Sequence, residues 1–225
     1  MCNKSVPINL QIVTEMSLSN PHALAKAQDD DEVFEVMQSP PSNFDIFSDK
    51  PLTLGTKKAR RLVHRDQDWH RSVHVWIVDK KRRLVAMQKR SSLKDTFPGR
   101  WDISAAGHIE HGHDSKETAV REVAEELGID CSLEELDFGF TIPAQQADLG
   151  GCNCYEDVYF IIRNAETCHF AIGEAEVSAM KWISVDELKQ LLENEACVPR
   201  PDNYKIAFFE KLESMCCNSN SHPSS

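Results

Sequence analysis

Three glutamates within one short segment have the spacing of a metal-binding group. Glu122, Glu125 and Glu126 occupy positions i, i+3 and i+4, which lie together on one side of an α-helix. Like charges this close destabilise an isolated helix, so a bound cation would offset them. Mg²⁺ and Mn²⁺ prefer carboxylate and water oxygens as ligands. The spacing favours a Mg²⁺ (or Mn²⁺) site, and the alternative from spacing alone is a solvated acidic helix face.

The residues around these glutamates predict the helix that would position them. Asp114 or Ser115 can cap its start, because both side chains accept hydrogen bonds from free backbone N–H groups. Gly128 is a natural end, since glycine readily adopts the left-handed conformation that terminates helices. Apolar residues at helical spacing predict one buried face. They are Ala119, Val120, Val123, Ala124 and Leu127.

The whole segment follows the pattern G-x5-acid-x7-R-E-U-x-E-E-x-G-U, in which U is a bulky apolar residue. The matching positions are Gly107, Arg121, Glu122, Val123, Glu125, Glu126, Gly128 and Ile129. His113 is the one departure, because the pattern has glutamate there. The segment therefore resembles the Nudix box, the signature of enzymes that split diphosphate linkages with a divalent metal.

This resemblance implies a fold, a ligand set and catalytic residues. The implied fold is an α/β/α sandwich with a central mixed sheet, against which the box forms a loop–helix–loop. The implied metal ligands are Glu122, Glu125, Glu126 and the backbone carbonyl of Gly107. Arg121 and Glu125 are the catalytic candidates. Glu125 is the first choice for the base that accepts a proton from the attacking water, with Glu156 and Glu176 as alternatives.

The box position of His113 raises the question of what pairs with Arg121. In the family the acid at this position pairs with the box arginine. A neutral imidazole could accept a hydrogen bond from Arg121, whereas a protonated one would repel it. Glu117 lies four residues before Arg121 on the same helix face, and we expect it to replace the missing acid. The substitution predicts weakened or shifted activity rather than none.

Sequence outside the box narrows the resemblance. The segments HRDQDWHR at 64–71 and FPGRWDISAAGHIE at 97–110 are similar to the branch related to isopentenyl diphosphate isomerase. This likeness covers about 44–212. It implies that Arg90 and Lys94 bind the diphosphate of the substrate. It also implies a candidate second metal site that includes His70 and His108, with His64 displaced by one residue.

Two positions depart from the isomerases and favour hydrolysis. Ala106 stands immediately before the box glycine, where the isomerases have a catalytic cysteine. An alanine methyl group cannot transfer a proton to or from an isoprenoid carbon. Cys154 stands where the isomerases have a glutamate, and it is a candidate replacement ligand in the second metal site.

We therefore expect a metal-dependent hydrolase of a diphosphate linkage, in a nucleoside diphosphate linked to a group X or in a related diphosphate such as a prenyl diphosphate. The alternatives are an isopentenyl diphosphate isomerase and a non-catalytic module that binds a nucleotide. The expected partner is a small-molecule diphosphate.

Composition limits which partners and which cellular locations the sequence favours. The chain has 225 residues, a net charge of −11 and eight cysteines without a CxxC pair. The acidic balance argues against a nucleic-acid polymer as partner. The sequence contains neither an apolar run long enough to span a membrane nor a secretory signal pattern, so we expect a cytoplasmic protein with reduced thiols.

The pattern along the chain predicts one domain with extensions. Residues 1–35 are expected to be a flexible lead-in, 36–213 the Nudix domain and 214–225 a disordered tail. Predicted strands lie at 44–47, 72–79, 83–88, 102–106, 138–142, 157–162 and 177–183, with helices at 185–192 and 203–212 after the box helix.

Overall fold

The computed structural model describes residues 19–194 and 196–217 of the chain. In chain order these residues form β1 (Val33–Met37), β2 (Thr53–Ala59), α1 (Arg60–Asp66), β3 (His70–Asp79), β4 (Leu84–Arg90), β5 (Trp101–Asp102), β6 (Ala105–His108), α2 (Ser115–Leu127), β7 (Asp137–Gln145), β8 (Asn153–Ile162), β9 (Val177–Ser184), α3 (Val185–Leu191) and α4 (Asp202–Cys217).

Seven of the strands form one mixed sheet. Its main path is β5-β4-β3-β8-β7, with β6 paired to β3 and β9 paired to β4. β3 and β8 are parallel, and the other pairs of this sheet are antiparallel. A separate hairpin-like pair is formed by β1 and β2. β3 is almost fully buried, as expected for a central strand covered on both faces.

Helices pack on both faces of the sheet. On one face α2 inserts Ala119, Val123 and Leu127 into a core that includes alternate residues of β3. On the other face α4 packs Tyr204 and Phe208 against strand residues that point the opposite way. The predicted α/β/α sandwich with a central mixed sheet is therefore confirmed.

The box helix α2 begins and ends where the sequence indicates. The Asp114 side chain accepts hydrogen bonds from the backbone N–H groups of Lys116 and Glu117. Gly128 follows the helix with φ of 64°, in the left-handed region. Asp114 is thus the cap, while the hydroxyl of Ser115 instead donates to Asp157 at 2.6 Å. These local contacts fix the direction in which the helix carries its glutamates.

Most predicted strands and helices lie within observed ones. The predicted strand at 102–106 is interrupted at 103–104 and forms two strands, β5 and β6, and the strands β1 and β2 were not predicted. Two further local features differ. Residues 44–47 form a turn rather than a strand, because the Asp45 side chain accepts a hydrogen bond from Phe47 N at 2.9 Å. Helix α1 was not predicted from the sequence. It ends at Gln67, which has a left-handed φ of 56° without being glycine, so the usual end signal is missing.

The predicted domain boundaries fall inside observed elements. Residue 36 lies within β1, whose Phe34 is fully buried, and residue 213 lies within α4. Ahead of β1, Asn20 Nδ2 donates to the carbonyls of Ala124 and Glu125 at 3.0 and 2.8 Å. The described part of the expected lead-in therefore contacts α2. Residues 1–18 and 218–225, where the rest of the lead-in and the end of the tail were predicted, lie outside the described residues.

Membrane-spanning helices were sought in the described ranges 19–194 and 196–217. None of the helices there is both long enough and apolar enough to cross a bilayer.

Candidate active site

A cavity of about 560 Å³ lies beside the start of the box. Its wall is formed by residues of β3, β6, β8 and α2 together with the loop that follows β4 and residues ahead of β1. The residues that line it in this region are Ala106, which precedes the box, and the box residues Gly107, His108, Glu110, Arg121, Glu122 and Glu125. Most of the predicted site residues thus border one space.

The box glutamates occupy two depths at this cavity. Glu122 and Glu125 line it, whereas Glu126 is 1 % exposed and lies behind them. Glu126 Oε2 accepts hydrogen bonds from Gln88 Nε2 at 2.8 Å and from Ala106 N at 3.0 Å. One oxygen of Glu126 therefore ties α2 to β4 and β6.

Burial and mutual repulsion make the carboxyl groups of these glutamates difficult to ionise. Burial raises the pKa of Glu122 to about 8, and the negative charge of Glu176 adds to the shift. Burial and Glu176 also raise the pKa of Glu126, while burial is the main cause that raises the pKa of Glu125. A divalent cation would offset these charges, so the carboxylates present fit the metal implied by the box.

Glu176 is a further carboxylate beside the box glutamates, and it was not among the predicted metal ligands. It lies just before β9, is 6 % exposed and lines the cavity. The sequence indicates it only as an alternative base, because the box pattern does not extend to it. Its position among the glutamates follows from the pairing of β9 with β4.

Gly107 leaves room for Glu122. A Cβ atom built on Gly107 would lie 2.0 Å from Cδ of Glu122, closer than any real contact allows. A side chain at this position would displace the Glu122 carboxylate. The glycine of the box is therefore required by space at the site.

Arg121 pairs with an acid that the spacing argument did not identify. Arg121 Nη1 donates to Glu110 Oε1 at 2.7 Å, and Nη2 donates to Glu122 Oε1 at 3.2 Å. Glu117 and His113 are both exposed, so the expectation that Glu117 replaces the missing box acid is wrong. Glu110 lies in the loop ahead of α2, where helical spacing rules do not apply.

The predicted phosphate-binding residues line the cavity but are already paired. Lys94 Nζ lies 2.6 Å from Glu176 Oε2. Arg90 donates to Thr96 O at 3.0 Å and Thr96 Oγ1 at 2.9 Å, and its Nη1 lies 3.4 Å from Asp102 Oδ2. A phosphate would have to share these cations with their present partners.

Histidines and a cysteine form a second group at the same cavity wall. The ligand atoms of His64, His70, His108 and Cys152 all lie within 4.8 Å of one another. The structure thus brings His64 to the predicted pair His70 and His108. The sulfur in this group is Cys152, while Cys154 lies against it, with Sγ 3.4 Å from Cys152 Sγ and 3.3 Å from His70 Nε2.

Neighbouring contacts define which histidine nitrogens are available. His70 Nδ1 lies 3.0 Å from Asp68 O, so it carries the proton and leaves Nε2 as an acceptor. His64 Nε2 is buried without a hydrogen-bond partner. His108 Nδ1 accepts from Arg60 at 3.0 Å, so its proton lies on Nε2, towards Cys152. Metal binding through His108 Nε2 would therefore release that proton.

Electrostatics in this group favour a thiolate. Although burial opposes it, the contact of His64 Nδ1 with Asp95 Oδ2 at 3.7 Å raises the pKa of His64 to about 9. Hydrogen bonds from Cys154 and His108 hold the pKa of the Cys152 thiol well below its usual range, although burial opposes this. Thiolate and imidazole together are donors that suit softer divalent ions such as Zn²⁺. The orphaned nitrogen of His64 also fits a bound ion.

The comparisons with known proteins agree with the fold and the box. A family model described as the NUDIX domain matches residues 68–200. The chain belongs to the Nudix family. An uncharacterised Nudix hydrolase of Clostridium acetobutylicum is 36 % identical over 155 residues, which cover 67 % of this chain and 74 % of the relative.

Other relatives show the breadth of the family. Nudix hydrolase 3 of Arabidopsis thaliana is 35 % identical over 182 residues, which cover 77 % of this chain but only 24 % of that protein. Isopentenyl-diphosphate Delta-isomerase 2 of Photorhabdus laumondii is 28 % identical over 153 residues, which cover 67 % of this chain and 78 % of the relative. The relation to the isomerases is thus present at lower identity than the relation to these hydrolases.

A solved structure supports the fold alone. The crystal structure of DR0079 from Deinococcus radiodurans superposes with a TM-score of 0.55 at 15 % sequence identity, covering 79 % of this chain and 98 % of that chain.

Proposed function

We propose that this protein hydrolyses a diphosphate linkage in a small molecule with the aid of Mg²⁺ (or Mn²⁺). The observation that carries the proposal is the fit between Gly107 and Glu122 at a cavity lined by buried carboxylates. Glu122, Glu125, Glu126 and the carbonyl of Gly107 would hold the ion, and Glu176 lies close enough to contribute charge. The chemistry that such an ion supplies is neutralisation of phosphate oxygens and activation of water.

Within this proposal Glu125 accepts the proton of the attacking water. It lines the cavity and is more exposed than Glu122 and Glu126, so water can reach its carboxylate. Burial raises the pKa of Glu125, which favours transfer of a proton to its carboxylate. Water oxygen bonds to phosphorus, the bond from phosphorus to the bridging oxygen breaks, and the proton moves to Glu125.

Basic residues at the cavity position the substrate. Arg121 holds Glu110 and Glu122 in place through two ion pairs. Arg90 and Lys94 are the candidates for binding the diphosphate, because both cations border the cavity. Lys94 would then exchange part of its contact with Glu176 for phosphate oxygens.

Ala106 argues against double-bond isomerisation. It lies at the cavity wall next to Gly107 and pairs across the sheet with His74. Its methyl group can neither donate nor accept a proton, so the residue at the position used for proton transfer in the isomerases cannot catalyse that step here.

The experiment that tests the proposal measures the monophosphate products formed from a panel of nucleoside diphosphates linked to sugars and of prenyl diphosphates, with and without Mg²⁺. Glu125→Gln is expected to abolish turnover. Glu117→Gln, an exposed glutamate of the same helix, is the matched control and is expected to retain it. Tight binding without turnover would indicate a non-catalytic module instead. Conversion of isopentenyl diphosphate without phosphate release would indicate an isomerase.

We further propose that His64, His70, His108 and Cys152 bind a second, softer ion such as Zn²⁺. Their spacing, the buried unpartnered His64 Nε2 and the thiolate character of Cys152 support this. Metal content after dialysis against Zn²⁺ tests it. Cys152→Ser is expected to lose the ion and Cys168→Ser, a free cysteine in another part of the fold, to keep it. Equal metal content in both variants would contradict the site.

The proposed location is the cytoplasm. The side chains of five described cysteines are free thiols, which is typical of a reducing compartment; they are Cys131, Cys152, Cys154, Cys168 and Cys197.

A further inference from the structure

The cavity is also lined by polar residues of β3 and β8. These strands are parallel, and their register pairs His70 with Cys154 and Ser72 with Glu156. Since alternate strand residues face the same side, Glu156 points the same way as Cys154 but lies about 7 Å further along the strand. Glu156 and His74 both line the cavity.

Glu156 belongs to a buried ion-pair network at this cavity. Arg200, which lies between β9 and α4, contacts Asp102 Oδ1 through Nη2 and lies 3.3 Å from Glu156 Oε1 through Nη1. The three side chains are each 4 % exposed, yet all three border the cavity. Asp102 is also 3.4 Å from Arg90. We name Asp102, Glu156 and Arg200 the polar floor.

One oxygen of the polar floor makes no hydrogen bond with any of the described residues. This oxygen is Glu156 Oε2, which is buried. His74 Nδ1 lies 3.4 Å away, but its closer contact is the Tyr204 hydroxyl at 3.2 Å, and the geometry towards Glu156 does not make a hydrogen bond. The Tyr204 hydroxyl accepts from Trp76 Nε1 at 2.9 Å and can donate to His74. The neighbouring side chains are thus engaged with one another and leave Glu156 Oε2 unsatisfied.

An unpaired buried carboxyl oxygen at a cavity favours a polar occupant. Buried polar atoms in folded proteins nearly always have a partner, and leaving one unpaired is costly. Burial raises the pKa of Glu156 to about 8, so near neutral pH its carboxyl group can both donate and accept a hydrogen bond. A hydrocarbon chain placed here would leave the oxygen unpaired and displace any water that pairs with it.

We propose that Glu156, held by Arg200, is a specificity-determining residue that binds a hydrogen-bonding group of the substrate and discriminates against substrates whose far end is a hydrocarbon. This inference rests on the proposed function, because it assigns the polar floor to the part of the substrate beyond the diphosphate. The competing explanation is a purely structural network that joins β5 and β8 to the segment ahead of α4.

Binding to the Glu125→Gln protein tests the inference separately from turnover. Calorimetry with ADP-ribose and geranyl diphosphate compares two ligands that share a diphosphate and differ at the far end. We expect ADP-ribose to bind at least about tenfold more tightly, since a site that pairs polar groups rejects analogues without them. Equal binding, tighter binding of geranyl diphosphate, or binding of neither ligand overturns the inference.

Variants then assign the preference to Glu156. In the same background Glu156→Leu is expected to remove most of the preference for ADP-ribose, while Glu156→Gln keeps most of it because an amide still forms hydrogen bonds. Asp79→Asn changes another buried carboxylate, one that lies away from the cavity, and is expected to leave the preference unchanged. If Glu156→Leu does not fold, two other measurements decide whether Glu156 sets the preference. They are the ratio of the affinities for ADP-ribose and geranyl diphosphate in the protein with Glu156, and the same ratio in Glu156→Gln.

The two proposals fail in different ways. Tight, selective binding of ADP-ribose without hydrolysis by the wild-type protein would reject the proposed function and leave the specificity inference standing. Efficient hydrolysis that prefers geranyl diphosphate would reject the inference and leave the hydrolase proposal standing.

Discussion

Gly107 and Glu122 are fitted so closely that a Cβ atom on the glycine would lie 2.0 Å from the Cδ atom of the glutamate. We predict that Gly107→Ala lowers kcat/KM by about 100-fold, because the Glu122 carboxylate must move by an ångström or more. Steady-state hydrolysis with Mg²⁺ measures this. Gly55→Ala is the control, since a Cβ there meets nothing within 4 Å. Activity of Gly107→Ala equal to that of the control would show that the position of Glu122 does not matter.

The ion pair between Arg121 and Glu110 gives a second prediction. Glu110→Gln removes the charge that holds Arg121 Nη1 at 2.7 Å, so Arg121 should shift towards Glu122. We expect kcat/KM to fall by about tenfold, the scale of one lost charge-assisted hydrogen bond. His113→Glu should change activity little, because Arg121 already has an acidic partner. A large gain in His113→Glu with no loss in Glu110→Gln would reverse this assignment.

Glu156 gives a prediction about pH and stability. Burial raises its pKa from the ordinary 4.5 to about 8 in the folded protein. A raised pKa means that the proton stabilises the fold fully below about pH 4.5, and that this contribution is lost as the pH rises through about 8. Glu156→Gln cannot lose a proton, so its stability relative to wild type should increase with pH over this window.

Urea denaturation at pH 5 and pH 9 in the presence of a chelator measures this difference. The gain of Glu156→Gln over wild type should be on the order of a few kcal/mol larger at the higher pH. If the free energies of unfolding of the two proteins changed in parallel with pH, this would contradict a buried carboxyl group with a raised pKa at Glu156.

The end of helix α2 gives a prediction about stability alone. Gly128 has a φ of +64°, and a Cβ there would lie 2.7 Å from Cβ of Ala171. Gly150 has a φ of +86°, but a Cβ there meets nothing within 4 Å. We expect Gly150→Ala to lower the free energy of unfolding by about 1 kcal/mol through backbone strain, and Gly128→Ala by roughly 3 kcal/mol through strain and overpacking. Equal losses, measured by urea denaturation, would show that Ala171 moves aside.

The sequence by itself determined the elements whose information is local. The cap at Asp114, the apolar stripe of α2 and the stop at Gly128 all lie within one helix, so spacing alone predicts them. The box and its neighbours likewise indicated the family, the layered fold and a cluster of carboxylates. Two features were not predicted from the sequence: the turn at Asp45 and the end of α1 at Gln67. Other turn conformations compete at those positions.

Only the tertiary structure decided which distant residues share the cavity. Glu176 reaches the box glutamates because β9 pairs with β4, and Glu156 lies beside Ser72 because β8 pairs in parallel with β3. Arg200 and Cys152 come from connecting segments, to which no periodic pattern applies. Sheet order is set by the burial of both faces of the sheet over the whole chain, so residues far apart in sequence become neighbours without any signal in their own spacing.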